Sequence, residues 1–418
     1  MPPLTPYPSA QASDPNRLGW MQGSPPPPAK VVKHADGSFY RFPQLRWSFS
    51  HIRQLMPTSQ ISRSAGPVSP LPLALRGDLD AVSCKVLDTG EPMTWAQAFD
   101  ANYTDGIVVL QRGRIVYERY AGALTAQGQH IAHSVTKSLV GTLGATLLHE
   151  GLLDEHKRTD HYVPELSQSG LGSATLRQVM DMTSSVKYCE NYADPKADVF
   201  DFVRAGGVFP RPPGYAGPTS FYETLRSIQR EGEHGQAFAY KTVNTDTLAW
   251  VMRRVTGLGF ADLLGQRIWR PLGAEQDAYC MVDTEGTEFA GGGFNAGLRD
   301  LARFGEMMRQ GGYFNGQQIV PSAVVEDIAR GANRADFAKA GYSTLPGWSY
   351  RAMWWNSHNA HGAYMARGVH GQAIYIDPQA EMVIARFGSH PQAANVHLDP
   401  TSLPAYHALA RYLVENPG

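Results

Sequence analysis

A serine and a lysine three residues apart have the types and spacing to do chemistry. Ser134 and Lys137 stand at the start of a predicted helix, where this spacing places both side chains on one face, one turn apart. A serine hydroxyl is a weak nucleophile until a base takes its proton, and a lysine becomes such a base when burial lowers its pKa. The helix N-terminus adds free N–H groups that favour an oxyanion. The pair therefore predicts acyl transfer through Ser134, with Lys137 as part of its activating base.

The same spacing occurs often by chance, and a structural alternative exists. In that alternative Ser134 only caps the helix and the Lys137 amine reaches solvent. The residues that follow favour the catalytic interpretation, because 135–150 is apolar on nearly all sides and predicts a buried helix that ends at Gly151. A lysine at the start of a buried helix requires a reason.

Two later segments could complete such a site. Tyr240 precedes a predicted helix, and its hydroxyl could pass the serine proton to a leaving group; the alternative is an aromatic residue packed ahead of a helix cap. Residues 367–372 lead into a predicted strand, whose edge could offer the Val369 N–H as an oxyanion donor beside that of Ser134. A simple glycine turn is the alternative for this segment.

Motifs for other chemistries are missing from the sequence. It contains no Gly-x-Ser-x-Gly, His-Glu-x-x-His, phosphate-loop or dinucleotide-binding pattern. His358, His361 and His370 could bind a metal, but no acidic residue completes a recognisable spacing. We therefore expect neither a metal nor an organic cofactor.

The chain of 418 residues is long enough for two or three domains, or for one large domain with insertions. Its composition of 43% apolar and 18% charged residues predicts a globular protein. Strands at both ends of the chain with helices between them suggest one antiparallel sheet assembled from distant segments. The predicted elements are hairpins at 106–120 and 373–386 and helices at about 176–182, 245–255, 298–310 and 402–415.

Charge and cysteine content limit the partners and the compartment. The net charge of −1 does not suggest nucleic acid or an anionic membrane as the main partner. Cys84, Cys189 and Cys280 are far apart, which argues against a disulfide scaffold and a thiolate zinc site. The N-terminus lacks a basic segment followed by an apolar run, so we expect a soluble, cytoplasmic protein without a signal peptide.

Taken together and in order, these segments resemble the serine β-lactamase-like (penicillin-recognising) superfamily, in particular its 6-aminohexanoate-dimer (nylon oligomer) hydrolases and family VIII carboxylesterases. The similar stretches are 46–51, the hairpin around Val108, 134–139, 162–166, 192–195, 240–246, 299–303, 354–355, and 370–372 with 377–378. The resemblance implies the α+β fold of serine β-lactamases and DD-peptidases, in which helices flank an antiparallel sheet and a mainly helical insertion interrupts it.

The resemblance also implies roles for individual residues. Ser134 is the acylated nucleophile, and Lys137 and Tyr240 form the acid/base pair. The N–H groups of Ser134 and Val369 form the oxyanion hole. The residues assigned to substrate binding are Tyr192, Trp355, Asn244 and His370, of which the first two close over the substrate.

The sequence departs from the superfamily pattern at several positions. Asn244 follows the tyrosine by four residues instead of the usual two, which puts its role in doubt, although the nylon-oligomer group shares this spacing. Ala366-Arg-Gly368 replaces the usual Lys-Thr-Gly, so the carboxylate-binding lysine is missing and β-lactams are expected to be poor substrates. Val203, or a neighbour, and Gly291 stand where efficient amide-oligomer hydrolases carry an acid and an amide.

We therefore predict a serine hydrolase of small esters or linear amides, with its site in the groove between two parts of the chain. Residues 76–160 and 286–418 are assigned to the sheet domain, 161–285 to the helical domain and 1–75 to an extended N-terminal arm. The arm is expected to wrap on the surface and to be partly ordered by Trp47 and Phe49. The alternatives are a carboxylesterase, D-amino-acid peptidase or β-lactamase with the same machinery, or a non-catalytic binding or sensor protein. The oligomeric state stays open between a monomer and a homodimer.

Overall fold

The predicted buried helix forms at Val135–His149 in the computed structural model, which describes residues 7–63 and 65–417. Every residue from Val135 to Leu147 is buried. Gly141 allows the helix to lie directly against another backbone, because a Cβ at this position would stand 2.0 Å from the carbonyl oxygen of Ala352. Gly151 follows the last turn with a φ of +74°, a conformation that glycine adopts without strain.

An antiparallel sheet assembled from both ends of the sequence is the main scaffold. Its seven strands follow the order β11-β12-β13-β14-β15-β4-β5, so the early hairpin pairs with the last strand of the chain. The strands are β1 (Thr58–Ile61), β2 (Ser83–Lys85), β3 (Pro92–Thr94), β4 (Thr104–Gln111), β5 (Arg114–Tyr120), β6 (Gln129–Ile131), β7 (Ala278–Met281), β8 (Phe294–Gly297), β9 (Tyr313–Phe314), β10 (Gln317–Gln318), β11 (Ser349–Arg351), β12 (Trp354–Asn356), β13 (Tyr364–Gly368), β14 (Gln372–Asp377) and β15 (Met382–Gly388).

Helices pack against this sheet and fill the interval between its strands. The helices are α1 (Pro15–Leu18), α2 (Leu45–Ser48), α3 (Trp95–Ala101), α4 (Val135–His149), α5 (Thr159–Tyr162), α6 (Leu176–Met180), α7 (Asp198–Ala205), α8 (Phe221–Ser227), α9 (Val243–Thr256), α10 (Phe260–Leu264), α11 (Leu298–Arg309), α12 (Ser322–Arg330), α13 (Arg334–Ala338) and α14 (Asp399–Glu415). Helix α4 contacts β12, β13 and β14, and α11 contacts β4, β14 and β15. The α+β architecture and the predicted hairpins and helices are confirmed, with helix ends that shift by up to three residues.

A second, four-stranded sheet fixes the start of α4. Its order is β1-β7-β8-β6, and β6 ends three residues before Ser134. The Ile131 N–H donates to the Phe49 carbonyl, and the Ala132 N–H donates to the Phe294 carbonyl. Two distant segments, one before β6 and one after it in the chain, therefore hold the residues that lead into the helix.

The N-terminal segment is packed more deeply than the partly ordered surface arm that the sequence suggested. Strand β1 pairs with β7, and α2 carries the buried side chain of Arg46. The Arg46 guanidinium lies 3.0 Å from the Asp105 carboxylate of β4 and 3.1 Å from Ser389 Oγ. Burial alone would raise the pKa of Asp105, but Arg46 and His130 together hold it below its ordinary value. This ion pair joins the segment to the central sheet.

We predict that Arg46→Met lowers the free energy of unfolding by about 3–5 kcal/mol, because it leaves the Asp105 carboxylate buried without its cation. The second substitution Asp105→Asn in the same chain should recover part of the loss. Urea denaturation followed by circular dichroism measures both effects.

The exposed pair of Arg112 and Glu381 provides the control. Their side chains are 54% and 44% exposed, so Arg112→Met should cost no more than about 1 kcal/mol. Equal losses for the two methionine variants would show that the buried pair does not hold the N-terminal segment.

Candidate active site

The first turn of α4 brings a hydroxyl and an amine together below the protein surface. Lys137 Nζ lies 2.9 Å from Ser134 Oγ and 2.6 Å from the Gly291 carbonyl oxygen. Ser134 makes no side-chain capping bond, and Lys137 is only 1% exposed. The two structural alternatives, a serine that only caps the helix and a lysine that reaches solvent, are therefore absent from this structure.

The surroundings of Lys137 favour its neutral form. Burial lowers the pKa of its amine to about 8, although Glu190 and Asp246 act in the opposite direction by favouring the cation. Burial also raises the pKa of Asp246, which Lys137 counteracts. The two groups interact, so they titrate as a pair. Near neutral pH a fraction of the molecules carries an amine whose lone pair can accept the Ser134 proton.

Tyr240 completes a group of three polar side chains. Its ring centroid lies 5.1 Å from Lys137 Nζ, and the Ser134 side chain is close enough to act on the Tyr240 hydroxyl, whose pKa it tends to lower. Burial raises the pKa of this phenol well above its usual value, so it is protonated at neutral pH. A protonated phenol beside the nucleophile can donate one proton and accept another, which is what a relay requires.

Two backbone N–H groups on different elements belong to residues that line the cavities at the nucleophile. Ser134 belongs to the start of α4, and Val369 directly follows β13. The end of β13 packs closely against the residues that lead into α4. A Cβ on Gly368 would stand 2.7 Å from the Ala132 carbonyl oxygen and 3.1 Å from the Ser134 nitrogen. Neither N–H group donates to a protein acceptor within residues 7–63 and 65–417. They can therefore serve as the paired donors of an oxyanion hole.

Two of the four residues assigned to substrate binding reach the site. Tyr192 and Trp355 line cavities that open at Ser134. Asn244 does not, because it is fully buried in α9, where its side chain bonds to Ser184 and to the Lys241 carbonyl. His370 lies behind the site with its ring nitrogens on the His390 carbonyl and the Tyr40 hydroxyl.

Residues that sequence reasoning missed surround these groups. Thr242, two positions after Tyr240, lines the site and donates from both its N–H and its hydroxyl to Glu190, each over 2.6 Å. The Tyr192 hydroxyl donates to the same carboxylate over 2.8 Å. Asp246 accepts from the Gly291 N–H with one oxygen, while its other oxygen is buried without a partner among the described residues. The spacing of Thr242 from Tyr240 was the available signal for this position.

Two cavities meet at Ser134, and both are also lined by Tyr192 and Val369. The first, which we call the apolar cavity, includes Phe39, Val203 and Phe289 in its wall. The second, the polar groove, is lined by residues that include Glu190, Tyr240, Trp355, Arg367 and Asp399. A substrate whose scissile bond lies at Ser134 can extend into both.

Arg367 stands in the strand segment that would normally carry a carboxylate-binding lysine. Its guanidinium is paired with the buried Asp399 carboxylate and lies 5.1 Å from the Trp355 ring centroid. Because its charge is already matched, Arg367 is a poor replacement for that lysine.

The histidines considered as metal ligands separate in the fold. His358 bonds to Ser349, His370 bonds as described above, and His361 lies 2.9 Å from Asp377. His361, Asp377 and His407 bring their ligand atoms within 4.8 Å of one another. This group lies at the far end of β14 from Val369 and lines neither cavity.

No helix in residues 7–63 and 65–417 is long and apolar enough to cross a membrane.

The sequence and the fold are similar to those of known hydrolases. A model of the family described as Beta-lactamase matches residues 96–401. The 6-aminohexanoate-dimer hydrolase of Paenarthrobacter ureafaciens is 33% identical over 392 residues, which are 94% of this chain and 92% of that protein. A Bacillus anthracis structure provisionally named a 6-aminohexanoate-dimer hydrolase is 32% identical with a TM-score of 0.84, and the match covers 94% of this chain and all of that one. A family VIII carboxylesterase shares the fold, with a TM-score of 0.55 and a sequence identity of 16%. The match covers 82% of this chain and 100% of that one.

The protonation state of Lys137 should control how fast Ser134 reacts. The rate of labelling by a fluorophosphonate probe should rise with pH through about 8, because the amine becomes a base as it loses its proton. Lys137→Arg should slow labelling by about 100-fold or more, because a guanidinium keeps its proton at these pH values. Intact-mass spectrometry of timed samples measures the rate.

Lys157→Arg is the matched control, since Lys157 is exposed and lines neither cavity. Its labelling rate should equal that of the unmodified protein. Labelling of Lys137→Arg within threefold of that rate would mean that the base is another group.

Proposed function

The chain belongs to the β-lactamase family and is a hydrolase of amide or ester bonds; from this premise we propose that it works through an acyl-enzyme on Ser134. The observation that carries the proposal is the placement of Lys137 Nζ, 2.9 Å from Ser134 Oγ on a side chain that is 1% exposed. A buried amine at that distance is positioned to take the serine proton without solvent in between.

Acylation begins when the neutral amine of Lys137 accepts the Ser134 proton and Oγ forms a bond to the substrate carbonyl carbon. The carbonyl oxygen becomes an oxyanion, which the N–H groups of Ser134 and Val369 stabilise. The proton then passes through the Tyr240 hydroxyl to the leaving nitrogen or oxygen, and the bond to that atom breaks. Ser134, Lys137 and Tyr240 account for every proton that moves, and the two backbone donors keep theirs while they stabilise the oxyanion.

Deacylation reverses the roles with water as the nucleophile. Water enters the polar groove after the leaving group has left, gives a proton to the Lys137–Tyr240 pair and attacks the ester carbonyl. Collapse of the second oxyanion returns the proton to Ser134 Oγ and releases a carboxylic acid. No step requires a metal or an organic cofactor.

Linear amides and small esters are the substrates that the site favours. The relative from Paenarthrobacter ureafaciens is named for the hydrolysis of a linear amide dimer, and the cavities on both sides of Ser134 suit an extended molecule. A β-lactam instead presents a carboxylate, for which Arg367 has no free charge because Asp399 already pairs with it.

The small-molecule substrate is the partner that we propose, without nucleic acid or membrane. Cys84, Cys189 and Cys280 form no disulfide among the described residues, which supports a reducing, cytoplasmic compartment.

Ser134→Ala should lower the turnover of p-nitrophenyl butyrate by at least about 1000-fold, because the variant lacks the atom that is acylated. Its circular dichroism spectrum and melting temperature should match those of the unmodified protein. Ser227→Ala, on the exposed face of α8, is the control and should retain full turnover. If Ser134→Ala keeps more than a tenth of the rate, Ser134 is not the nucleophile. If the unmodified protein is acylated once and does not turn over, it is a sensor protein and not an enzyme.

Esters should be hydrolysed faster than β-lactams, with kcat/KM for the butyrate ester about 10- to 100-fold above that for a chromogenic cephalosporin. Asp399→Asn removes the carboxylate that pairs with Arg367, so it should raise the ratio of cephalosporin to ester turnover. Taking a ratio cancels any general loss of active protein. Equal rates on the two substrates in the unmodified protein would contradict this account of Arg367.

A further inference from the structure

The two cavities at Ser134 differ in whether Tyr240, the proposed proton relay, forms part of the wall. Tyr240 lines the polar groove but not the apolar cavity. If the proposed function holds, Tyr240 delivers the proton to the leaving group, so the leaving group lies in the polar groove. The other half of the substrate, which stays bonded to Ser134, must then extend into the apolar cavity.

The wall of the apolar cavity is built from aromatic and aliphatic side chains of distant segments. Phe39 and Phe49 come from the N-terminal segment, which precedes the part of the chain that matches the family model. Val203 extends from α7, and Met281 and Phe289 come from β7 and the loop after it. All five side chains are at least nine-tenths buried.

No aspartate, glutamate, lysine or arginine of the described residues lines the apolar cavity. His133 adds no charge at neutral pH, because burial above all holds its pKa well below the usual value. The hydroxyl groups of Tyr192 and Thr242 already donate to Glu190. The one unpaired polar side-chain atom that we find among these described residues is the neutral His133 Nε2, which is buried without a hydrogen bond. An ammonium or carboxylate on the acyl chain would therefore lose its water without gaining an opposite charge.

Two carboxylates stand close to the cavity, but neither forms part of its wall. Glu190 accepts hydrogen bonds from Tyr192 and Thr242, which neutralise part of its hydrogen-bonding capacity. Asp246 lies behind Gly291, whose N–H it accepts over 3.2 Å, and it does not line the cavity. A hydrocarbon chain, by contrast, gains from each methylene that leaves water.

We propose that the apolar cavity is the acyl subsite and that it selects an uncharged hydrocarbon acyl chain. This specificity differs from that suggested by the name of the Paenarthrobacter ureafaciens relative, since a 6-aminohexanoyl group ends in an ammonium. Amides and esters of medium-length fatty or aryl-alkyl acids are the substrate class that fits.

Turnover of two matched sets of p-nitrophenyl esters tests the proposal. From acetate to hexanoate, kcat/KM should rise about three- to fourfold for each added methylene. The hexanoate ester should exceed the 6-aminohexanoate ester by about 100-fold or more, because the two differ only in the terminal charge. A flat series, or a preference for the aminated ester, would overturn the proposal while leaving Ser134 chemistry intact.

Val203→Asp places a carboxylate in the cavity wall. It should reverse the order of the two six-carbon esters or reduce their ratio at least tenfold. Val414→Asp makes the same change on the exposed face of α14 and should leave the ratio unaltered. An unaltered ratio in Val203→Asp would overturn the proposal.

A binding experiment separates this proposal from the proposed function. Ser134→Ala protein should bind n-octanamide at least tenfold more tightly than 8-aminooctanamide, as measured by ligand-detected NMR. This comparison needs no catalysis, so it decides the chemistry of the cavity even if the unmodified protein fails to turn over any ester. Equal affinities, or no binding of n-octanamide, would overturn the proposal.

Discussion

The site depends on a primary amine that is kept out of water beside a serine hydroxyl. Desolvation of the Lys137 ammonium lowers its pKa, while the carboxylates of Glu190 and Asp246 favour the cation. The resulting pKa of about 8 lies below that of an unperturbed lysine and above that of an amine that stays neutral at every physiological pH. Such a group can take a proton and give it back within one catalytic cycle. Loss of burial would restore the cation, and loss of the acids would weaken the amine as a base.

Much of the fold can be understood as what this burial requires. Helix α4 is covered on all sides along its first thirteen residues, and Gly141 lets it touch the backbone at Ala352. The four-stranded sheet holds the residues before Ser134, and β13 brings Val369 to the nucleophile from the large sheet. The N-terminal segment adds Phe39 and Phe49 to the same enclosure and is tied to β4 through Arg46. Elements far apart in sequence therefore exclude water from one amine.

Local patterns in the sequence predicted what depends on local geometry. The spacing of Ser134 and Lys137 sets their contact within one helical turn, and the apolar residues after them imply burial. Runs of β-forming residues on either side of a turn likewise predicted the hairpin strands. Tyr240 and Val369 came from resemblance as much as from chemistry, since nothing in their own segments places them near Ser134.

Long-range contacts determine what the sequence left unpredicted. Asn244 looked like a polar residue for the site, but its position in α9 turns it toward Ser184 in the interior. Glu190 became visible only when the fold brought it to Thr242, more than fifty residues later. The N-terminal segment is rich in proline and serine, and its buried Arg46 could be recognised only with Asp105 in place. Partners of this kind are set by tertiary packing, which short-range periodicity does not encode.

The pKa of Lys137 itself tests the central claim most directly. In protein labelled with ¹³C at lysine Cε, the Lys137 resonance can be assigned by its loss in Lys137→Arg and followed by NMR from pH 6 to pH 11. The account predicts a titration midpoint near 8 for this resonance, with the exposed lysines near their ordinary value of about 10.4. A Lys137 midpoint at or above 10 would contradict it, because the amine would then be a permanent cation at the pH where the enzyme must use it as a base.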